Sequence, residues 1–303
     1  MSEWDMKVRI GYGLGTRSPT HDHDRFFALV DALEQRRFDS LWFSDRISGD
    51  APDPVVAMAM AAARTSRMKL GMSVMVLPGR NPAVVAKQLA SLDRLSGGRL
   101  LPAFGLGARD AVEHQAFGVR REERAALFGE SLALIRRLWT GEVVDHDGDR
   151  FQMHGVQVLP RPAQDPIEVW LGGVAPSELR RVGRMGDGWL PSFCTPAEVE
   201  AGIATINDVA QHHDRHIDPE HFGALIAYAH GEVPDAIARF VQRRRPELDP
   251  TDVVPVGIDG VIERIRQFVD IGASKFVLLP LVEPTDWIPE LDVIAERVLP
   301  LQT

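Results

Sequence analysis

The 303-residue sequence has one cysteine, Cys194, which excludes an intramolecular disulfide and fits a reducing compartment. It has no apolar stretch of membrane-spanning length, and its opening MSEWDMKVRI holds no apolar leader region. The expected location is the cytoplasm. Positive charge is short as well: 34 Lys and Arg stand against 43 Asp and Glu, a formal charge of −9. That balance argues against a nucleic-acid surface and for a freely soluble body. Any anionic ligand would then need a local cluster of arginines, because the global field repels it. His212, His213, His216, His221 and His230 crowd one stretch without zinc spacing, and His114 beside Glu113 has no further ligands nearby. No metal is expected.

What the sequence does contain is a rhythm. Hydrophobic residues make up 45% and charged residues 25%, ordinary for a soluble globular protein, and the length suits one domain over 1–303. Short apolar runs predict strands at 8–13, 40–44, 69–74, 99–104, 168–171, 189–190, 224–229 and 275–279. Amphipathic segments predict helices at 22–37, 54–66, 83–95, 122–139, from Pro176 onward, and at 197–213, 234–244, 261–271 and 286–298. In the first half the strand starts recur about every 30 residues, the length of one strand-loop-helix-loop unit. The runs are continuous rather than alternating, as in buried parallel strands. Eight such units predict an α/β fold, a closed (β/α)8 TIM barrel in preference to an open doubly wound sheet. Gly11, Gly13 and Gly15 are spaced by two and do not match the dinucleotide-binding fingerprint. Between the fourth and fifth strands the rhythm breaks at 142–162, a polar, proline-bounded hairpin around Asp147-Gly148 read as an excursion from the barrel.

In such a barrel the loops after the strand C-termini carry function. Gly97-Gly98 lies between a helix and the next strand and reads as a structural stop. Gly105 and Gly107 follow the fourth strand and Gly172-Gly173 the fifth, on the functional face. Missing side chains there let a flat ring or a phosphate reach backbone amides, although turn chemistry explains any one pair equally. Asp45 and Arg46 end the second strand; Arg80 follows the third; Arg109, Asp110, Glu113 and His114 follow the fourth. An anionic ligand would want these arginines. The opposite rim is also basic (Arg36, Arg37, Arg67, Lys69, Arg99), so Arg80 and Arg109 read equally as solvated loop residues. Asp45 reads either as half of a structural ion pair or as a site carboxylate. Cys194, after the sixth strand, lacks a partner that would make it a nucleophile, which favours packing. Trp42 and Trp189 could wall a ring system.

Three segments in order, LGMSVMVLPGRNPAVVAKQLASLDRLSGGRLLPAFGLGA, LWTGEVVDHDGDRFQM and PIEVWLGGVAPSELRRVGRMGDGWLPS, resemble the bacterial luciferase-like monooxygenase superfamily, and GASKFVLLPL resembles its last strand. The resemblance implies a TIM barrel with a flavin across its C-terminal mouth. The third- and fourth-strand stretches are more like the members that use the deazaflavin coenzyme F420; FMN is the alternative. It implies a non-prolyl cis bond at Ser73–Val74 against the ring, with Asp45 near the ring's polar edge and Leu106 and Gly107 as rim contacts. Gly172, Gly173 and Val174 would supply amides around the phosphate-bearing side chain, and Ser192 a hydroxyl or small residue. Many relatives have His where this chain has Arg46, and deazaflavin sugar-phosphate dehydrogenases have Glu where it has Ala108. Both losses argue against sugar-phosphate oxidation. Arg46, always protonated, is expected to polarise a substrate carbonyl or hold an anionic group, and Asp45 and Arg46 are the catalytic candidates. The implied activity is hydride transfer between F420 and a small organic substrate stacked on the ring. The alternatives are an FMN-dependent monooxygenase using oxygen and a flavin-binding barrel without catalysis. A metal-dependent hydrolase lacks ligands, and a homodimer is implied by the family alone.

Overall fold

A computed structural model describes residues 6–16 and 22–303; the absence of an apolar leader was read partly from residues 1–5, outside that range. The chain alternates strand and helix from β1 (Arg9–Leu14) and α1 (His23–Gln35) through β2 (Ser40–Phe43) and α2 (Pro54–Arg64). Local chemistry sets the helix starts: Asp22 and Asp53 accept hydrogen bonds from first-turn amides, and Pro54 occupies a position needing no N–H. The predicted third strand is broken. β3 (Lys69–Met72) gives way at Ser73–Val74, a cis bond, and resumes as β4 (Met75–Val76). After α3 (Pro82–Ser96), ended by left-handed Gly97, the fourth strand is also split, into β5 (Leu100–Leu101) and β6 (Ala103–Gly105) around Pro102, which has no N–H for the ladder.

The stretch after β6 holds a short helix not expected from the sequence, α4 (Ala111–Ala116), capped by Asp110. It precedes α5 (Arg124–Trp139). The expected hairpin follows as β7 (Val144–Asp147) paired antiparallel with β8 (Gln152–Val156). Its turn is fastened to α5 by Glu130, which accepts hydrogen bonds from the Arg150 and Phe151 amides. The second half runs β9 (Trp170–Leu171), α6 (Pro176–Met185), β10 (Gly188–Trp189), α7 (Pro196–Gln211), β11 (Gly223–Tyr228) and α8 (Asp235–Arg244). It ends with α9 (Gly257–Asp270), which starts four residues earlier than expected, then β12 (Lys275–Pro280) and α10 (Trp287–Arg297).

All pairing among the barrel strands is parallel. One ladder runs β11-β12-β1-β2-β3-β5 and another β10-β9-β6-β4. β3 with β4 and β5 with β6 carry the third and fourth strands from one ladder into the other. The bridges Trp189↔Phe222 and Ser192↔Leu225 return β10 to β11, which closes eight strand positions into the barrel the sequence predicts. The interior is filled by large side chains lying on bare backbone: a Cβ on Gly71 would lie 2.4 Å from the Trp42 ring, and one on Gly188 would lie 2.5 Å from Trp170. Trp42 is fully buried and donates to Ser40 Oγ at 2.8 Å. It is therefore core, not the ring-system wall considered for it. Among the described residues no helix is long and apolar enough to cross a membrane.

At the N-terminal end of the strands, Lys275 Nζ lies 2.9 Å from Asp39 Oδ2, with side chains 7% and 11% exposed. Burial pushes the Asp39 carboxyl up, but the facing ammonium outweighs it and holds the group below its usual range, while burial lowers Lys275. Two further basic residues of this rim, Arg99 and Arg36, are also spent on structure. Arg99 donates to the carbonyls of Ala62, Thr65 and Met68, and Arg36 pairs with Asp292. Truncation of Asp39 to Ala leaves a buried ammonium without its partner. Urea unfolding of Asp39→Ala is expected to show a loss of about 3–5 kcal/mol; a loss under about 1 kcal/mol would show the pair to be solvent-screened instead.

Candidate active site

A cavity of about 280 Å³ opens at the C-terminal ends of the strands. Much of its wall comes from residues just past a strand: Thr16 after β1, Asp45 after β2, Ser73 and Val74 after β3, Leu106 and Gly107 after β6, Gly172 and Gly173 after β9. Val74 projects onto backbone. A Cβ on Gly105 would lie 2.5 Å from Val74 Cγ2, one on Gly172 3.1 Å from Val74 Cγ1, and one on Gly107 2.9 Å from Val76 Cγ1. Glycine at these three places keeps the opposing wall flat. Ser73 Oγ, on the same wall, is buried and has no hydrogen-bond partner among the described residues, a polar atom awaiting one.

Asp45 stands at the edge of this cavity with its side chain 4% exposed. Its Oδ2 accepts hydrogen bonds from the Val76 amide at 2.9 Å and from Arg80 at 2.8 Å. Burial nevertheless pushes its carboxyl above the usual range, outweighing Arg80 and the amide. Both readings of Asp45 thus hold together, since it is half of an ion pair and it lines the cavity. Arg80 is no solvated loop residue: it is packed between Asp45 and the Phe117 ring, 5.5 Å from its centroid.

Arg46 is placed elsewhere. It does not line the cavity; its guanidinium meets Asp110 at 2.6 Å and Glu113 at 3.7 Å. The carboxylates of Asp110, at the cap of α4, and Glu113, within it, draw it sideways, away from the cavity lining. Glu113 completes this clamp, accepting from the amides of Ile47 at 3.1 Å and Ser48 at 2.9 Å and from Ser48 Oγ at 2.5 Å. Burial raises its carboxyl, but these hydrogen bonds and Arg46 win and hold it below the usual range.

Ser192 and Val174 are also displaced from the first cavity. They line a second one, of about 530 Å³, with Trp189, Phe193, Cys194 and Phe240. Ser192 is turned there by the pairing of its strand extension with Leu225. The Val174 amide is already taken by Glu178 Oε2 at 3.0 Å. Cys194 is buried beneath this cavity, and burial, with Glu198 adding to it, pushes its thiol up to about 12, consistent with packing. Trp189 walls the same cavity and donates to the Gly173 carbonyl at 2.8 Å.

Sequence reasoning missed three arginines that line cavities at this rim, Arg121, Arg124 and Arg181. Arg124 on α5 donates from Nη1 to the carbonyls of Leu106, Gly107 and Ala108 at 3.0–3.1 Å, holding the rim loop in place. With Arg109 and Arg121 it lines a third cavity, of about 310 Å³, which shares Leu106, Gly107 and Glu178 with the lining of the first. Arg181 on α6 lines the first cavity and lies over the Phe128 ring at 5.4 Å. The signal was the distribution of arginines along α5 and α6, which becomes a cluster only when both helix starts meet at one rim. The histidines do not converge: His230 pairs with Glu290 at 2.6 Å and His221 with the Asp187 carbonyl at 3.0 Å.

The model of the luciferase-like monooxygenase family matches residues 7–249. The chain belongs to this family of oxidoreductases. It is 32% identical to the F420-dependent glucose-6-phosphate dehydrogenase of Intrasporangium calvum over 82% of this chain and 87% of that one. It is 35% identical to the enzyme of the same description from Kineococcus radiotolerans, over 52% of this chain and about half (49%) of the relative. An F420-dependent secondary alcohol dehydrogenase solved with an F420-acetone adduct shares the fold at a TM-score of 0.80 and 21% identity, covering 98% of this chain and 100% of that one. The F420-dependent tetrahydromethanopterin reductase of Methanopyrus kandleri does so at 0.76 and 18%, covering 98% and 100%.

The clamp on the second-strand loop is testable. In the wild type its contribution is present above the ordinary Glu pKa and is lost as pH falls through the lowered native value of Glu113. Glu113→Gln should therefore cost about 1–3 kcal/mol of unfolding free energy at neutral pH, and the gap to wild type should narrow below pH ~4. A pH-independent gap would assign the loss to packing.

Proposed function

We propose that the protein is an F420-dependent oxidoreductase that passes hydride between the deazaflavin and a small organic substrate stacked on it. The observation that carries this reading is the flat wall of the first cavity, where Val74 faces the bare backbone of Gly105 and Gly172 beside the unpartnered Ser73 Oγ. A tricyclic ring with polar edge atoms suits that shape, and the F420 dependence of the relatives agrees with it. Bound there, the cofactor would supply hydride at its C5, chemistry that is its own rather than the protein's. Leu106 and Gly107 would meet the ring's rim. Gly172 and Gly173 would lie along the phosphate-bearing side chain at the start of α6, where backbone N–H groups favour an anion.

Arg109, Arg121 and Arg124 extend positive charge beyond the rim, in a chain whose formal charge is −9. A cofactor with anionic groups past its phosphate uses this extension, whereas FMN ends at the phosphate; this favours F420. Asp45 is the group able to hold or release a proton at the cavity's edge, since burial raises its carboxyl. Arg46 serves as a positioning residue for the loop that carries Asp45. A sugar phosphate is not the proposed substrate: Ala108 and the diverted Arg46 leave no base in the positions that the family resemblance implies for one. The apolar second cavity instead suits a less polar substrate body. Cytoplasmic location, a single domain and a homodimer belong to the same reading.

Fluorescence titration of the protein with F420 and with FMN tests it. F420 is expected to bind at least about tenfold more tightly, a difference of ~1.4 kcal/mol. Preference for FMN would support the oxygen-using alternative, and binding of F420 without turnover on ketones, alcohols, enones or imines would support the non-catalytic one.

A further inference from the structure

Glu178 occupies the place where the cofactor's phosphate is expected. It is the third residue of α6, and its Oε2 accepts from the amides of Val174 at 3.0 Å and Ala175 at 2.9 Å. A Cβ on Gly173 would lie 2.6 Å from the same oxygen, so the carboxylate rests directly over the bare Gly173 backbone. Glu178 also lines all three cavities described above, standing at their junction. Around it burial works against the charge of Arg124 and Arg181, and the Glu178 carboxylate offsets that for both. Arg121 and Arg109 add further repulsion at Arg124. One side-chain anion thus takes the amides, and stands near the arginines, that a ligand anion would otherwise meet.

We infer that Glu178 is an internal anion that keeps the phosphate seat filled until an incoming phosphate displaces it. This rests on the deazaflavin reading for the identity of the natural ligand, but not for the existence of the seat. Two like charges cannot share two amides, so the carboxylate must leave as phosphate enters. Its departure joins the first cavity to the other two. The residue therefore selects for ligands that carry a phosphate strong enough to replace a carboxylate, and it penalises a weaker anion.

Two variants separate this from a plain helix cap. Glu178→Gln keeps an oxygen acceptor over Gly173 without the charge, and Glu178→Ala empties the seat. The probes are the deazaflavin riboside, its 5′-monophosphate and inorganic phosphate, read by fluorescence titration and by the phosphate-induced shift in melting temperature. The monophosphate is expected to bind Glu178→Ala about tenfold more tightly than wild type. The riboside should be unaffected, and Glu178→Gln should fall between. Inorganic phosphate should raise the melting temperature of Glu178→Ala and not that of wild type. Unchanged or weaker monophosphate binding in both variants, with Glu178→Gln as stable as wild type, would overturn the inference. If no form binds either deazaflavin, the functional reading fails. The inorganic-phosphate shift then still decides about Glu178: present only without the carboxylate, it supports the inference, and equal in all forms, it defeats it.

Discussion

Val74 reaches across the barrel mouth onto the backbone of Gly105 and Gly172, and the geometry of the site follows from that contact. A methyl group at Gly105 would collide with it and one at Gly172 would crowd it, so the third, fourth and fifth strand positions approach closely where two of them are bare. Deeper in the barrel the same device recurs with Trp42 over Gly71 and Trp170 over Gly188. Close packing of a large side chain against backbone leaves no room for adjustment. At the core it fills the barrel; at the mouth, where nothing covers it, it leaves a flat wall.

Charge is arranged around that wall by short-range pairing rather than by the global field. Asp45 is held by Arg80 and the Val76 amide, and Arg46, its neighbour in sequence, is held by Asp110 and Glu113. Two adjacent residues thus serve separate tasks, one at the cavity and one in the loop clamp. Arg124 binds three successive carbonyls of the rim while remaining on the wall of the third cavity. In an acidic protein this concentrates positive charge at one end of the barrel, where a buried guanidinium acts more strongly than one in water.

Much of the architecture could be read along the chain because it is local. Continuous apolar runs at intervals of about 30 residues mark parallel strands, and caps such as Asp53-Pro54 and Gly97 mark helix ends. The hairpin was legible from Asp147-Gly148. What escaped was short or discontinuous. α4 has six residues, too few for a periodic signal, and its one marker was Asp110 before Val112. The third and fourth strands read as unbroken because hydropathy does not register a bulge. Gly107, Gly172 and Gly173 were placed on the cavity by their position after strands and Leu106 by the family resemblance, and all four line it. Arg46, placed by its strand end, and Val174 and Ser192, placed by the resemblance, do not.

The order and number of the strands, their burial on both faces and the rim on which the glycines fall were determined by the sequence alone, because each depends on residue type and spacing along a few turns. Which way a rim side chain points was decided only in the tertiary structure. Arg46 follows carboxylates more than 60 residues away, and Glu178 takes the amides next to it while facing Arg124 from another helix. Such choices depend on which charges folding brings within a few ångströms, and no local pattern carries that information.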